Sequence, residues 1–340
     1  MTDIGGPWRS PRRLPFGLTP DGAGLTWLDL DEDAYHAASF LDGRLLTRHG
    51  PLHAVRFEKI ETDSLPPAPA LDFIFHIGHV GSTLMARLLG DRPGVFALRE
   101  PAILRDLAER PDLSGHLELI LRLLSRTWRG DQRALVKATS FASGLGPALL
   151  AAAPDARALL MFSAPHIHMA GLLAGEGSRS DLMALAPHRR ARLTARLGIA
   201  GTDLSGADSS SRGETAALAW ACEILALADI AHAAPRRTAW LDFDHFLAEP
   251  QAVGASALRH LYGEATEAQV TTLIASPHIR RYAKDPDQPF DPAFRAQVVE
   301  AALHSQATEV ERGLAWLNAL GARSPDFVAA ARAAASGRLG

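Results

Sequence analysis

The chain has 340 residues, 47% hydrophobic and 21% charged, with a mean hydropathy at zero, a globular balance that excludes a disordered tail and a membrane protein. With 35 basic and 38 acidic residues, a formal charge of -3 gives no global reason to bind DNA or RNA. Cys222 is the single cysteine, which excludes an internal disulfide framework and suits a reducing compartment. Residues 1–3 start no apolar leader. The most apolar stretch, 145–162, is broken by Pro147, Pro154, Asp155 and Arg157, so it falls short of the roughly 20 mostly apolar residues of a membrane span. A cytoplasmic protein is expected.

Residues 1–63 read as an N-terminal extension in which Pro7, Pro11, Pro15 and Pro20 break the opening, with short strand candidates at 25–30 and 53–60. Residues 64–70 (SLPPAPA) form a stiff connector. The texture changes at Leu71. Residues 71–77 (LDFIFHI) are apolar enough for a strand buried on both faces. A glycine-containing turn at 78–82 leads into a helix with Leu84, Leu88 and Leu89 on one face and Gly90 as its C-cap. The alternation repeats: strand 134–137, helix 145–153; strand 158–163 (ALLMFS), helix 215–232; strand 238–243 (TAWLDF), helix 252–261. Such βα units imply a parallel sheet covered by helices on both faces, with ligands at the carboxyl ends of the strands. The loops to inspect are 78–83, 99–101, 137–140 and 163–168. Residues 71–325 are expected to form one α/β domain, followed by a helical tail at 326–340, and 205–213 (SGADSSSRG) is a polar loop.

Residues 73–89 (FIFHIGHVGSTLMARLL) carry the strongest functional signal. A buried strand, a tight glycine turn and a helix start aim backbone N–H groups and the helix dipole at one point, a geometry suited to an anion. Gly78, His79, Val80, Gly81, Ser82 and Thr83 are the candidate phosphate-binding residues; the alternative is a turn that uses glycine only for sharpness. The loop is not a Walker A motif, because G-x-x-x-x-G-K-(S/T) anchored on Gly81 needs Lys at 82 and Gly at 76, where the chain has Ser82 and His76.

The segment resembles the 5′-phosphosulfate loop of sulfotransferases, G-x-P-(R/K)-S-G-T-T-x-L after a buried strand, read here as Gly78, His79, Val80, Gly81, Ser82, Thr83, Leu84. Arg99-Glu100-Pro101 is similar to the Glu-Pro segment of many bacterial members. Residues 134–140 (ALVKATS) and 152–162 (AAPDARALLMF), Trp220, 241–250 (LDFDHFLAEP), and 279–286 (IRRYAKDP) with 290–295 resemble later family segments, in family order over roughly 71–320. The resemblance implies a three-layer P-loop sulfotransferase-like α/β fold, its mainly parallel central sheet flanked by helices. It implies sulfuryl transfer from 3′-phosphoadenosine 5′-phosphosulfate to a hydroxyl or amine of a small-molecule or peptide acceptor, without a metal. Two positions depart from the family. His79 stands where a Lys or Arg offsets charge on the leaving phosphate, and the Arg and Ser of the 3′-phosphate site fall on Ser163 and Gly171.

The resemblance assigns Lys137 to the cleft; its alternative is a structural ion pair. Glu100, held extended by Pro101, could serve as general base, the alternative being an exposed carboxylate paired with Arg99. His76, His79, His166 and His168 could converge on a metal, although their spacing matches no ligand signature and His76 is more simply a core histidine. Arg280, Arg281 and Lys284 could hold the 3′-phosphate or form a solvated face. Residues 172–213, with Arg179, Arg189, Arg190, Arg192 and Arg196, look like an insertion that shapes the acceptor pocket, or else a surface helix with solvated arginines. Two rival functions are a nucleotide- or partner-binding protein that transfers no sulfate and a phosphoryl-transfer enzyme with an atypical loop.

Overall fold

Six consecutive buried residues, Leu71–His76, make a strand that can sit only in the middle of a sheet covered on both faces. In the computed structural model, which describes residues 8–198, 211–280 and 292–340, and of residues 176, 177, 280 and 292–294 the backbone alone, that strand is central. The strands are β1 (Arg13–Leu18), β2 (Gly24–Asp29), β3 (His53–Arg56), β4 (Leu71–His76), β5 (Val95–Arg99), β6 (Arg133–Lys137), β7 (Ala158–Phe162) and β8 (Thr238–Asp242). They form an antiparallel sheet in the order β1-β2-β3 and a five-stranded sheet in the order β5-β6-β4-β7-β8. Every pairing in the larger sheet is parallel. The strands expected at 71–77, 134–137, 158–163 and 238–243 are all there, each within a residue of its expected bounds. The α/β architecture, a parallel sheet flanked by helices, is the one the alternation implied.

The strand order fixes where a ligand can sit. The chain leaves β4 toward β5 and β6 on one side, then crosses to β7 and β8 on the other. The crevice of a doubly wound sheet opens at the carboxyl end of the strand where that reversal occurs, which here is the 77–81 turn after β4. One face of the sheet is covered by the helices Ser82–Gly90, Pro250–Tyr262 and Glu267–Ala275, the other by Gly146–Ala152, Pro165–Ala174, Arg212–Ala233, Ala307–Arg323 and Pro325–Ser336. Arg212–Ala233, and not the 145–162 stretch expected to be the most apolar, is the one described helix long and apolar enough to cross a membrane. Its apolar surface is instead spent on the core, with Trp220 donating Nε1–H to Ser163 O at 3.0 Å. A Ser211/Glu214 capping box starts it.

Both edges of the parallel sheet are covered. Trp240 of β8 bridges Arg338, with Leu339 N–H donating to Trp240 O at 2.8 Å. At the other edge, Leu41 N–H donates to Arg99 O at 2.7 Å and Ala102 N–H to Leu41 O at 3.0 Å. Capped edges remove the unpaired backbone rows that invite association. The second edge matters more, because it brings residues 38–44 of the N-terminal segment beside the carboxyl end of β5. The antiparallel sheet itself, whose β1 lies outside both strand candidates of the sequence, packs on the helices Ile103–Glu109 and Leu117–Leu124.

Candidate functional site

The turn after β4 holds Gly78 at φ +81, His79 at +55 and Gly81 at +64. Positive-φ residues closely spaced in a turn can aim successive amides to one side, the backbone arrangement that suits an anion. The helix Ser82–Gly90 follows with Gly81 as N-cap and no side-chain cap bond, and Ser82 and Thr83 fill its first turn. The first amides of an α-helix lack intrahelical acceptors, so this end presents N–H groups and positive dipole at the turn. Gly81 is required for two reasons. A Cβ there would lie 2.0 Å from Cε2 of Phe243, and only glycine adopts a left-handed φ cheaply. Val80 is buried beneath the turn and locks it to the core.

His76 ties this loop to the catalytic candidates. Its Nδ1 accepts the Gly78 N–H at 3.0 Å, which puts the imidazole proton on Nε2. Nε2 faces Glu100 Oε1 at 3.8 Å, and Lys137 Nζ donates to the same oxygen. Lys137 is 1% exposed, so its ammonium is held in the core by this carboxylate and by the Phe40 ring 5.6 Å away. Glu100 Oε2 takes no hydrogen bond from the described residues, and the side chain is 18% exposed. Lys137 forms an ion pair, the alternative to a cleft role, and the exposed Glu100–Arg99 pair is not formed. Arg99 turns toward the N-terminal segment, and Glu100 pairs with Lys137. Among the described residues the non-glycine positions with positive φ are His79 and Glu100. Such conformations cost on the order of 1–3 kcal/mol each and persist where surrounding structure enforces them. Both lie at the carboxyl edge of the sheet.

Around this centre the structure sets Asp244 and Arg295, which the sequence did not single out, beside Ser163, which it did. Ser163 follows directly on β7, but its Oγ donates to Asp244 Oδ2, and Asp244 Oδ1 receives Arg295 Nη1. The Arg295 guanidinium lies 4.9 Å above the Phe243 ring, the same ring that abuts Gly81. A cation thus stands beside the loop although the end of β7 is neutral. Of the three basic residues expected at the C-terminal segment, Arg281 and Lys284 lie outside the described residues, as does the side chain of Arg280. The only hint of Arg295 in the sequence is its place in the last family-like segment.

The helix Glu176–Leu197 lies over the 138–145 segment: His188 stacks on Phe141 with centroids 4.4 Å apart. Arg192 Nη1 and Arg189 Nε approach Glu223 Oε1 at 3.1 and 3.7 Å. Glu223 is 1% exposed, and burial pushes its carboxyl up against the opposing pull of Arg192 and Arg189. For these two arginines a solvated face is the wrong description; Arg196, paired with Asp229 and Asp326 at the surface, does fit it.

The four histidines do not assemble. His168 is buried on the helix after β7, its Nε2 donating to Gly78 O at 3.1 Å, and burial pulls its pKa down to about 4. It is a neutral strut for the loop. Among the described residues no group of three or more His, Cys, Asp or Glu side chains is arranged to hold a metal ion.

No family model matches the chain, and no curated protein does. Solved structures similar to it include a sulfotransferase domain from the curacin biosynthetic pathway, 10% identical, with a TM-score of 0.44, covering 71% of this chain and 99% of that one. A sulfotransferase from Alicyclobacillus acidocaldarius is 16% identical with a TM-score of 0.38, covering 74% of this chain and 96% of that one. One from Mycobacterium avium is 13% identical with a TM-score of 0.37, covering 71% and 77%. At these identities the likeness is one of chain fold.

Proposed function

We propose that the protein is a cytoplasmic sulfotransferase-like enzyme that takes 3′-phosphoadenosine 5′-phosphosulfate as co-substrate and passes its sulfuryl group to a hydroxyl or amine acceptor. One observation carries the reading: an uncapped helix N-terminus and left-handed loop suited to a phosphate lie at the same edge of the sheet as a strained, partly exposed glutamate whose Oε2 takes no hydrogen bond from the described residues. In this reading the amides and hydroxyls of Ser82 and Thr83 bind the 5′-phosphate. The acceptor oxygen or nitrogen forms a bond to sulfur as the bond from sulfur to the bridging phosphate oxygen breaks. The bonding pair stays on that oxygen, where His79 and Lys137 offset its charge. The acceptor proton passes to Glu100 Oε2. His76 and Lys137, both on Oε1, position the carboxylate for that transfer.

A second reading, nucleotide binding without transfer, draws support from the neutral Ser163 and from Asp244, a carboxylate next to a cleft meant for anions. Arg295 counters it by neutralising Asp244. Calorimetric titration with adenosine 3′,5′-bisphosphate, AMP and ATP, followed by radiolabelled transfer to phenolic, alcoholic and amine acceptors, tests the proposal. Binding of the bisphosphate with transfer supports it. Binding without transfer to any acceptor selects the second reading, and preference for ATP over the bisphosphate overturns the proposal.

A further inference from the structure

The N-terminal segment does more than cap the edge strand β5: it lays an aromatic ring against the cation beside Glu100. Lys137 Nζ stands 5.6 Å from the centroid of Phe40 while donating to Glu100 Oε1. An ammonium within about 6 Å of a ring centroid is attracted to the negative face of the ring, more strongly where water is kept away. Lys137 is 1% exposed and Phe40 half-buried. A lysine stem is flexible, so its ammonium keeps one position only where the surroundings hold it.

The fold pins Phe40 on both sides in sequence. Before it, Arg99 Nε donates to Ala38 O at 2.7 Å and Arg99 Nη2 to Tyr35 O and His36 O. After it, Leu41 N–H donates to Arg99 O at 2.7 Å, and Leu41 O accepts the Ala102 N–H at 3.0 Å. Asp42 then holds Arg44, Nε to Oδ1 at 2.8 Å, with the guanidinium carbon 3.7 Å from the Phe40 centroid. Glu100 follows Arg99 directly, and its N–H donates to Lys137 O at 2.7 Å. Residues 99–102 therefore set the ring and the carboxylate together, with the strand that carries Lys137 paired alongside. Backbone pairing alone would cap the edge; the side chain at position 40 is what reaches the ammonium.

We propose that Phe40 is a positioning residue: its ring adds to the hydrogen bond on Oε1 and keeps the Lys137 ammonium in place, with Oε2 left to take the acceptor proton. The catalytic consequence rests on the reaction proposed above, whereas the hold on Lys137 rests on the contact itself. The segment read as an extension thereby supplies part of the active centre.

The test uses the whole protein with a trifluorinated phenylalanine at position 40, which keeps the shape of the ring and removes its negative face. This should lower kcat for transfer by about three- to tenfold and leave the Kd of adenosine 3′,5′-bisphosphate unchanged, with a smaller fall for the monofluorinated ring and most of the rate kept in Phe40→Tyr. A second readout needs no transfer. The chain has three lysines, Lys59, Lys137 and Lys284, and Lys59 is exposed. Acetylation of Lys137 by acetic anhydride, followed by mass spectrometry against Lys59 in the same molecule, should speed up several-fold with the trifluorinated ring and not with Phe40→Tyr. Equal acetylation across the series overturns the hold on Lys137, whether or not the protein transfers sulfate. Faster acetylation in a protein that transfers nothing supports that hold and removes the proposed reaction instead. Faster acetylation with kcat unchanged overturns the positioning role, and so does a loss of bisphosphate affinity as large as the loss in kcat, which marks a structural one. Arg44→Ala, made alongside, should not reproduce these effects; if it does, they belong to the outer cation and the proposal is overturned.

Discussion

Replacing Gly81 by alanine tests the loop at its tightest point. The new Cβ would sit 2.0 Å from Phe243 Cε2 at a φ of +64. A left-handed alanine costs roughly 1–2 kcal/mol relative to glycine, and overpacking a rigid aromatic contact adds about 1–3 kcal/mol. The expected loss is therefore about 2–5 kcal/mol. With unfolding entropy near 2.1 cal/mol/K per residue, a 340-residue chain should melt about 3–7 °C lower. Equilibrium urea denaturation measures the free energy, and the Phe243→Ala background separates the two causes. Phe243→Ala alone should cost about 3–5 kcal/mol. In Gly81→Ala/Phe243→Ala the clash is gone and the φ cost remains, so the double variant should be about 1–3 kcal/mol more stable than the sum of the singles predicts. Unchanged stability in Gly81→Ala, or strict additivity in the cycle, would refute the contact between the loop and the ring.

Other outcomes follow from the same geometry. Glu100→Gln takes the carboxylate charge away from the Lys137 ammonium, 1% exposed, and should cost about 3–5 kcal/mol. Lys137→Met leaves a carboxylate with access to solvent and should cost clearly less in urea denaturation; equal losses would show that the pair is not held as described. His168 has a folded pKa near 4 against 6.5 unfolded. Its contribution is full above 6.5 and lost as pH falls toward 4, about 3 kcal/mol in all. A pH series of denaturation midpoints should show that slope flattened in His168→Gln. In a transfer assay His79→Ala should lower the rate by about 10²–10³ and His79→Arg should preserve it; an alanine variant as fast as the parent would make His79 a loop residue only. Arg295→Ala should weaken adenosine 3′,5′-bisphosphate binding through the freed Asp244 carboxylate, and an unchanged Kd in calorimetry would separate that side chain from the cleft.

The strand–turn–helix of residues 71–90 could be read from sequence because every requirement in it is local. A continuous apolar run needs burial on both faces, and closely spaced glycines need left-handed φ. The helix start then presents its amides whatever the rest of the chain does. The same holds for the other βα units and hence for the parallel sheet. What the sequence could not place was which side chains meet across that sheet. Glu100 and Arg99 are neighbours in the chain but face different partners, because Glu100 turns to positive φ and β6 lies between β5 and β4. That strand order brings Lys137 and His76 to one carboxylate oxygen. Ser163 looked like a lost cationic position; the pairing of β7 with β8 put Asp244 against it, and Arg295 arrived from a helix more than a hundred residues downstream. Nor could the sequence show that residues 38–44, read as an extension, cap β5 and cover Lys137. Local propensity depends on a residue and its near neighbours, whereas a buried charge is stabilised by whichever groups the strand order and register set beside it, and that was decided only when the whole chain folded.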